Sequence, residues 1–71
     1  MILATARIAY NTESKGKYLL FIQADNSEFT ITTYVSLNES LDDIFATFNL
    51  LKISDWERRG HVSTCRVKRM L

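Results

Sequence analysis

Proline is absent from this chain of 71 residues, and there are only two glycines, one cysteine and one histidine. A single cysteine, Cys65, excludes an internal disulfide and fits a reducing compartment. One histidine and one cysteine are too few for the common zinc sites, and no glycine-rich phosphate loop is present. We therefore expect no metal site and no cofactor.

Long apolar runs are also missing. The longest, residues 18–22, is far shorter than a membrane span. Arg7 interrupts the apolar N-terminal stretch and no basic region precedes it, so this stretch does not have the pattern of a signal peptide. We expect a cytoplasmic protein with no membrane segment.

Basic residues are missing from the middle of the chain. Residues 18–51 contain five acids and neither Lys nor Arg, whereas residues 52–71 contain six basic residues and two acids. The net charge of +1 favours no class of partner by itself. The uneven distribution makes the basic C-terminal region the segment to interpret.

The amino-acid composition, of which 46% is hydrophobic, fits one globular domain over residues 1–71. Residues 2–10 and 29–35 alternate between apolar and polar side chains, which predicts strands with one buried face. Residues 17–24 are apolar on both faces and predict a strand between them. Short turn segments separate these strands and favour an antiparallel meander.

The apolar period then changes to steps of three and four residues, which predicts an amphipathic helix. The positions that follow these steps are Leu37, Leu41, Ile44, Phe48 and Leu51, and Phe45 widens the apolar stripe. Ser36 and Ser40 are alternative N-caps. Asp42 and Asp43 lie in the first turns, where the helix dipole favours acids, so we do not interpret them as catalytic carboxylates.

A short helical turn is predicted next, because Ser54 and Glu57 have capping-box spacing and Gly60 can end a helix. From His61 onward the chain alternates as a fourth strand. One face of that strand carries Thr64, Arg66 and Lys68, and the other carries Cys65, Val67 and Leu71 with Arg69 as a charged exception. The predicted fold class is α+β, in the order β-β-β-α-β, with the main helix on one face of a small antiparallel sheet.

The predicted positions of the potentially catalytic side chains do not support catalysis. His61 and Cys65 are four residues apart in a predicted strand, which separates them by roughly 13 Å and excludes a nucleophile–base hydrogen bond. We therefore expect a protein that is not an enzyme.

Protein binding is the leading interpretation, because one helix covers only one face of the sheet. Either Leu19 and Phe21 or Leu20 and Ile22 must then lie on the open side near Tyr34, and an exposed apolar patch of this kind typically marks an interaction surface. The candidate partner-binding residues are Leu19, Phe21, Tyr34 and Trp56. Trp56 has two interpretations, as a cover over the core or as an anchor for a partner. A homodimer formed by pairing the open faces is also expected.

Nucleic-acid binding is the alternative interpretation. The basic side chains that would contact phosphates are Arg58, Arg59, Arg66, Lys68 and Arg69. Against this alternative, aromatic side chains that stack on bases are not interleaved with these residues.

The C-terminal third resembles the tails of some small, uncharacterised phage-encoded proteins. The residues that carry the resemblance are Ile53, Trp56, Glu57, Gly60, Arg66 and Val67. Those proteins carry no settled activity, so the resemblance implies phage origin alone. With phage origin, the expected role is that of an accessory protein in the host cytoplasm that inhibits or modulates a bacterial host or defence protein, as anti-CRISPR proteins do.

Overall fold

The computed structural model describes residues 1–69 of the chain. Its elements are β1 (Ile2–Ser14), β2 (Lys17–Ala24), β3 (Thr30–Val35), α1 (Leu41–Thr47), β4 (Leu50–Lys52), β5 (Glu57–Arg59) and β6 (Val62–Arg69). The strands form one curled antiparallel sheet in the order β3-β2-β1-β6-β4, and β5 also pairs with β6. Strands hold 59% of the described residues and the helix 10%, so the predicted antiparallel sheet with one helix is confirmed, in a mostly β form.

The core lies on the side of the sheet where α1 packs, which we call the core face. Strand register places alternate residues of neighbouring strands side by side, as in the row Leu20, Ile8 and Ser63 and the row Ile22, Ala6 and Cys65. The buried apolar side chains are Ala4, Ala6, Ile8, Leu20, Ile22, Ala24, Val35, Phe45, Leu50, Cys65 and Val67. Leu20 and Ile22 therefore face the helix, and Leu19 and Phe21 face away from it.

The helix is shorter than predicted. It begins after Ser40, whose hydroxyl accepts the Asp43 N–H, and residues 36–39 form a separate turn in which the Glu39 carboxylate accepts the Ser36 N–H. It ends because Asn49 adopts a positive φ of 61°, a conformation that asparagine tolerates well after a helix. The predicted helix positions Leu37 and Leu51 are wrong, since both lie outside α1 and about half exposed.

Phe45 is the helix residue that fills the core. Its side chain is 1% exposed and stacks on Trp56 at 6.0 Å between ring centroids. Ile44 and Phe48 belong to the predicted apolar stripe, but both are only half-buried at the margin of the core. Because α1 ends at Thr47, Phe48 and Leu51 cannot continue the predicted apolar stripe along the helix. Phe45 is therefore the helix residue that is buried in the core.

The predicted short helical turn before the last strand is wrong. Residues 57–59 form β5, and Gly60, with a φ of 61°, occupies the first position of a two-residue hairpin turn into β6. Gly at that position is typical of a type II′ hairpin, which suits the twist of paired strands. The Ser54 hydroxyl does not cap a helix. It accepts the Arg66 N–H of β6 at 2.8 Å.

The last strand is present as β6. Cys65 is buried, and burial raises the pKa of its thiol to about 11. Arg69 lies on the core face, as the predicted exception, with its guanidinium carbon 3.9 Å from the centre of the Phe29 ring. The predicted inward position of Leu71 lies outside the described residues. Within residues 1–69, no helix has the length and apolar character needed to cross a membrane.

Candidate interaction surface on the open sheet face

The open face is the side of the sheet opposite α1. Its side chains form rows across the strands, because partners in register point to the same side. The first row contains Tyr34, Leu19, Ala9, Val62 and Arg59. The second contains Thr32, Phe21, Arg7, Thr64 and Glu57, and the third contains Thr30, Gln23, Thr5 and Arg66.

The first row makes one end of the open face apolar. Tyr34 is 55% exposed, and Leu19, directly opposite it in the sheet, is half-buried. Phe21, in the next row, is also half-buried. The structure therefore brings together three of the four candidate partner-binding residues on one continuous surface.

Trp56, the fourth candidate, is not part of this surface. Its indole stacks on Phe45 and is half-buried against the core. This position corresponds to the interpretation of Trp56 as a cover over the core.

Arg7 occupies the centre of the open face. It lies between Phe21 of β2 and Thr64 of β6, and its side chain is exposed. Within residues 1–69, no carboxylate lies within salt-bridge distance of its guanidinium. Arg7 therefore places a solvated positive charge next to the apolar row.

Arg66, by contrast, is committed to contacts within the protein. Its guanidinium donates two hydrogen bonds to the Asp25 carboxylate, at 2.8 and 2.5 Å, and a third to the Thr5 hydroxyl at 2.6 Å. These contacts tie β6, across β1, to the start of the turn after β2. The hydrogen bonds from Arg66 lower the pKa of Asp25.

Asp25 provides a test of this contact by pH titration. Its pKa is depressed in the folded protein, so the ion pair stabilises the fold above the unfolded pKa and this contribution is lost as the pH falls through the folded pKa. We expect Arg66→Gln to return the pKa of Asp25 towards its ordinary value of 3.8. NMR titration of the side-chain carboxyl measures the shift, and Arg59→Gln is the matched control because Arg59 contacts Glu57 instead. An unchanged Asp25 pKa in Arg66→Gln would contradict the contact.

The five basic residues predicted as phosphate contacts do not form one surface. Arg59, Arg66 and Lys68 lie on the open face, but Arg59 is paired with Glu57 and Arg66 with Asp25. Arg58 and Arg69 lie on the core-face side, each against an aromatic ring. Arg58 stands 4.2 Å above the ring of Tyr10, whose hydroxyl hydrogen bonds to Ser63.

Arg7, Thr5 and Asp25 are the residues of this surface that reasoning from the sequence missed. Alternation in β1 assigns Arg7 to the face opposite the core, which was a usable signal. The neighbours of Arg7 depend on strand order and register, which bring β6 beside β1 from more than fifty residues away. The same register places Thr5 opposite Arg66.

No candidate metal site is found in the described part of the chain. Over residues 1–69, no group of three His, Cys, Asp or Glu side chains is arranged to hold a metal ion. Comparison of the chain with family models, curated proteins and solved structures finds no match.

Proposed function

We propose that this chain is a small, non-catalytic binding protein whose open sheet face binds a protein partner. The observation that carries the proposal is the side-by-side placement of Tyr34, Leu19 and Phe21 with the exposed Arg7. Tyrosine and arginine are enriched among the residues that dominate binding energies at interfaces. An exposed face that mixes apolar and charged side chains also has the composition of a non-obligate interface.

The surface defines the chemistry of the partner. Apolar side chains are expected opposite the row of Tyr34 and Leu19, and a carboxylate opposite Arg7. Because the C-terminal third resembles phage-encoded tails, a bacterial protein is the first class of partner to test, with inhibition or modulation of that protein as the role. The double variant Leu19→Gln with Phe21→Gln removes the apolar part of the surface and keeps side chains of similar length.

Affinity capture from a bacterial lysate, followed by binding measurements with the purified partner, tests the proposal. We expect the wild-type chain to retain a partner that the double variant loses, with a loss of binding of at least about thirtyfold, since hot-spot truncations cost about 2 kcal/mol or more. Arg7→Ala should weaken binding and reduce its dependence on salt.

Leu37→Gln is the matched control, because Leu37 is an exposed leucine that does not belong to the sheet. A partner that Leu37→Gln and the double variant bind equally well would place the contact elsewhere. Nucleic-acid binding has less support, because Arg66 and Arg59 are engaged by acids and Arg58 and Arg69 lie on the other side. Sub-micromolar binding of DNA or RNA at about 150 mM salt, lost in Arg66→Ala with Lys68→Ala, would favour that alternative instead.

A further inference from the structure

The free edge of β3 carries unpaired backbone groups. β3 is the terminal strand of the sheet, and among residues 1–69 only β2 pairs with it. The Ala24 N–H donates to the Phe29 carbonyl, so residues 24 and 29 form a hydrogen-bonded pair. Every second pair of an antiparallel ladder is of this kind, which makes Ile22–Ile31 and Leu20–Thr33 hydrogen-bonded pairs as well. By this alternation, the backbone N–H and C=O groups of Thr30, Thr32 and Tyr34 point away from β2.

This edge lacks the usual features that prevent strands from pairing with other chains. Proteins commonly shield an edge with charged side chains, proline, a bulge or a very short strand. β3 is six residues long, contains no charged residue and no proline, and pairs with β2 without a bulge. The opposite edge differs, since it is divided between two three-residue strands, and β5 is the charged sequence Glu-Arg-Arg.

We propose that β3 pairs with β3 of a second copy of this chain, in an antiparallel and two-fold symmetric contact. Among the registers that bring outward-pointing backbone groups together, one pairs all three outward-pointing residues of each strand. Thr32 lies on the two-fold axis opposite Thr32 of the second copy, and Thr30 lies opposite Tyr34 of the second copy. In this register all six outward-pointing N–H and C=O groups of each strand find partners, and no charged side chains are brought into opposition within the paired segment.

A hollow beside the free edge adds an apolar contact to this pairing. It has a volume of about 200 Å³ and is lined by the apolar Val35, Ile44 and Phe48 together with Thr33, Tyr34, Glu39 and Thr47. In the proposed register Ile31 of the second copy lies opposite Thr33, and Phe29 of the second copy lies opposite Val35, all on the core face. Ile31 and Phe29 of the two-fold mate therefore lie on the same side of the joined sheet as the hollow, partly buried against their own core.

Edge pairing leaves the open face available, unlike the face-to-face homodimer expected from the sequence. Face-to-face pairing would cover Leu19, Phe21 and Tyr34, the same surface that a protein partner needs. Pairing through β3 instead produces one continuous sheet with two open faces side by side. A dimer of this kind presents two binding surfaces and gains avidity for a partner that offers two copies of the bound site.

A cysteine scan of β3 tests the register. Hydrogen-bonded antiparallel residues have Cα atoms about 5.5 Å apart, within the range of a disulfide. Under mild oxidation we expect Thr32→Cys to form a covalent dimer, because the two thiols meet on the axis. Thr30→Cys is the matched control, since its copies are separated by roughly 14 Å, and it should stay unlinked. Equal cross-linking of both variants, or none for Thr32→Cys, would overturn the register.

The mass of the protein in solution tests the contact itself. Light scattering after size-exclusion chromatography at about 100 μM should give twice the 8.2 kDa chain mass for the wild type. Thr32→Pro removes the outward N–H and leaves the bonds to β2 in place, so it should give a folded monomer, while Thr32→Val should remain a dimer. A monomeric wild type, or a dimeric Thr32→Pro, would overturn the proposal.

Failure of this proposal and failure of the proposed function are distinguishable. Leu19→Gln with Phe21→Gln should lose the protein partner but keep the dimer mass, because neither residue lies at the free edge. Thr32→Pro tests the edge contact by its mass alone, because Thr32 also lies on the open face beside Phe21. A double variant that becomes monomeric would show that the chains meet through their open faces, which would overturn the edge contact.

Discussion

Phe45→Ala should lower the free energy of unfolding by about 3–5 kcal/mol, the usual cost of removing a buried phenylalanine. Phe45 is the largest fully buried side chain, at 1% exposure, and the one buried residue of α1. Its removal leaves a cavity between the helix and the sheet and takes away the ring on which Trp56 stacks. Because small domains are marginally stable, most of the variant should be unfolded at 25 °C.

Denaturant titration followed by circular dichroism and Trp56 fluorescence measures this loss. Phe48→Ala is the matched control, because it makes the same change three residues later at a half-buried position. A smaller loss is expected for Phe48→Ala. If Phe48→Ala proved as costly as Phe45→Ala or costlier, the rotation of α1 about its axis in the structure would be wrong.

This comparison shows why helix prediction from the sequence was only partly successful. The spacing of Leu41, Ile44 and Phe48 indicates a helix, and a helix is present over these positions or next to them. The apolar periodicity alone does not predict where the helix begins and ends. These positions depend on the Ser40 cap and on the positive φ of Asn49. With the ends wrong, the predicted stripe ran from Leu37 to Leu51 with Ile44 at its centre, and Phe45 was predicted only to widen it.

Some strands could be predicted from local alternation, whereas others depend on pairing with distant parts of the chain. Alternation within residues 2–10, 29–35 and 62–69 reflects burial of one face and is readable from the sequence. β4 and β5 are three residues long and exist because β6 supplies their hydrogen-bond partners. A strand of three residues carries too little alternation to be recognised, so a glycine that opens a hairpin was interpreted as the end of a helix.

In the candidate site, the apolar patch could be predicted from the sequence, but contacts between residues distant in the chain could not. The two-sided apolar character of β2 predicted an open apolar patch, and the structure places Leu19 and Phe21 on it with Tyr34. The basic tail was harder to interpret, because the role of Arg66 depends on Asp25, 41 residues away in the chain. Charge counted along the sequence could not show that this arginine is engaged by an acid.

Leu20→Ala should lower the free energy of unfolding by about 2–5 kcal/mol, and Leu19→Ala, one residue earlier, by about 1 kcal/mol or less. Adjacent strand residues point to opposite faces, so the two variants make the same chemical change on the two sides of β2. Leu20 is fully buried on the core face, whereas Leu19 is half-buried on the open face. Urea titration of both variants under identical conditions gives the difference directly.

The ratio of the two losses decides which face of β2 is available to a partner. A large loss for Leu20→Ala together with a small one for Leu19→Ala means that Leu19 and Phe21 contribute little to folding. Their apolar surface is then available for the proposed contact with a protein partner. The reverse ratio would assign Leu19 and Phe21 to the core, because a shift of one residue in strand register exchanges the two faces. The open face would then carry Leu20 and Ile22, and both the proposed surface and the register of the β3 edge would have to be rebuilt from that assignment.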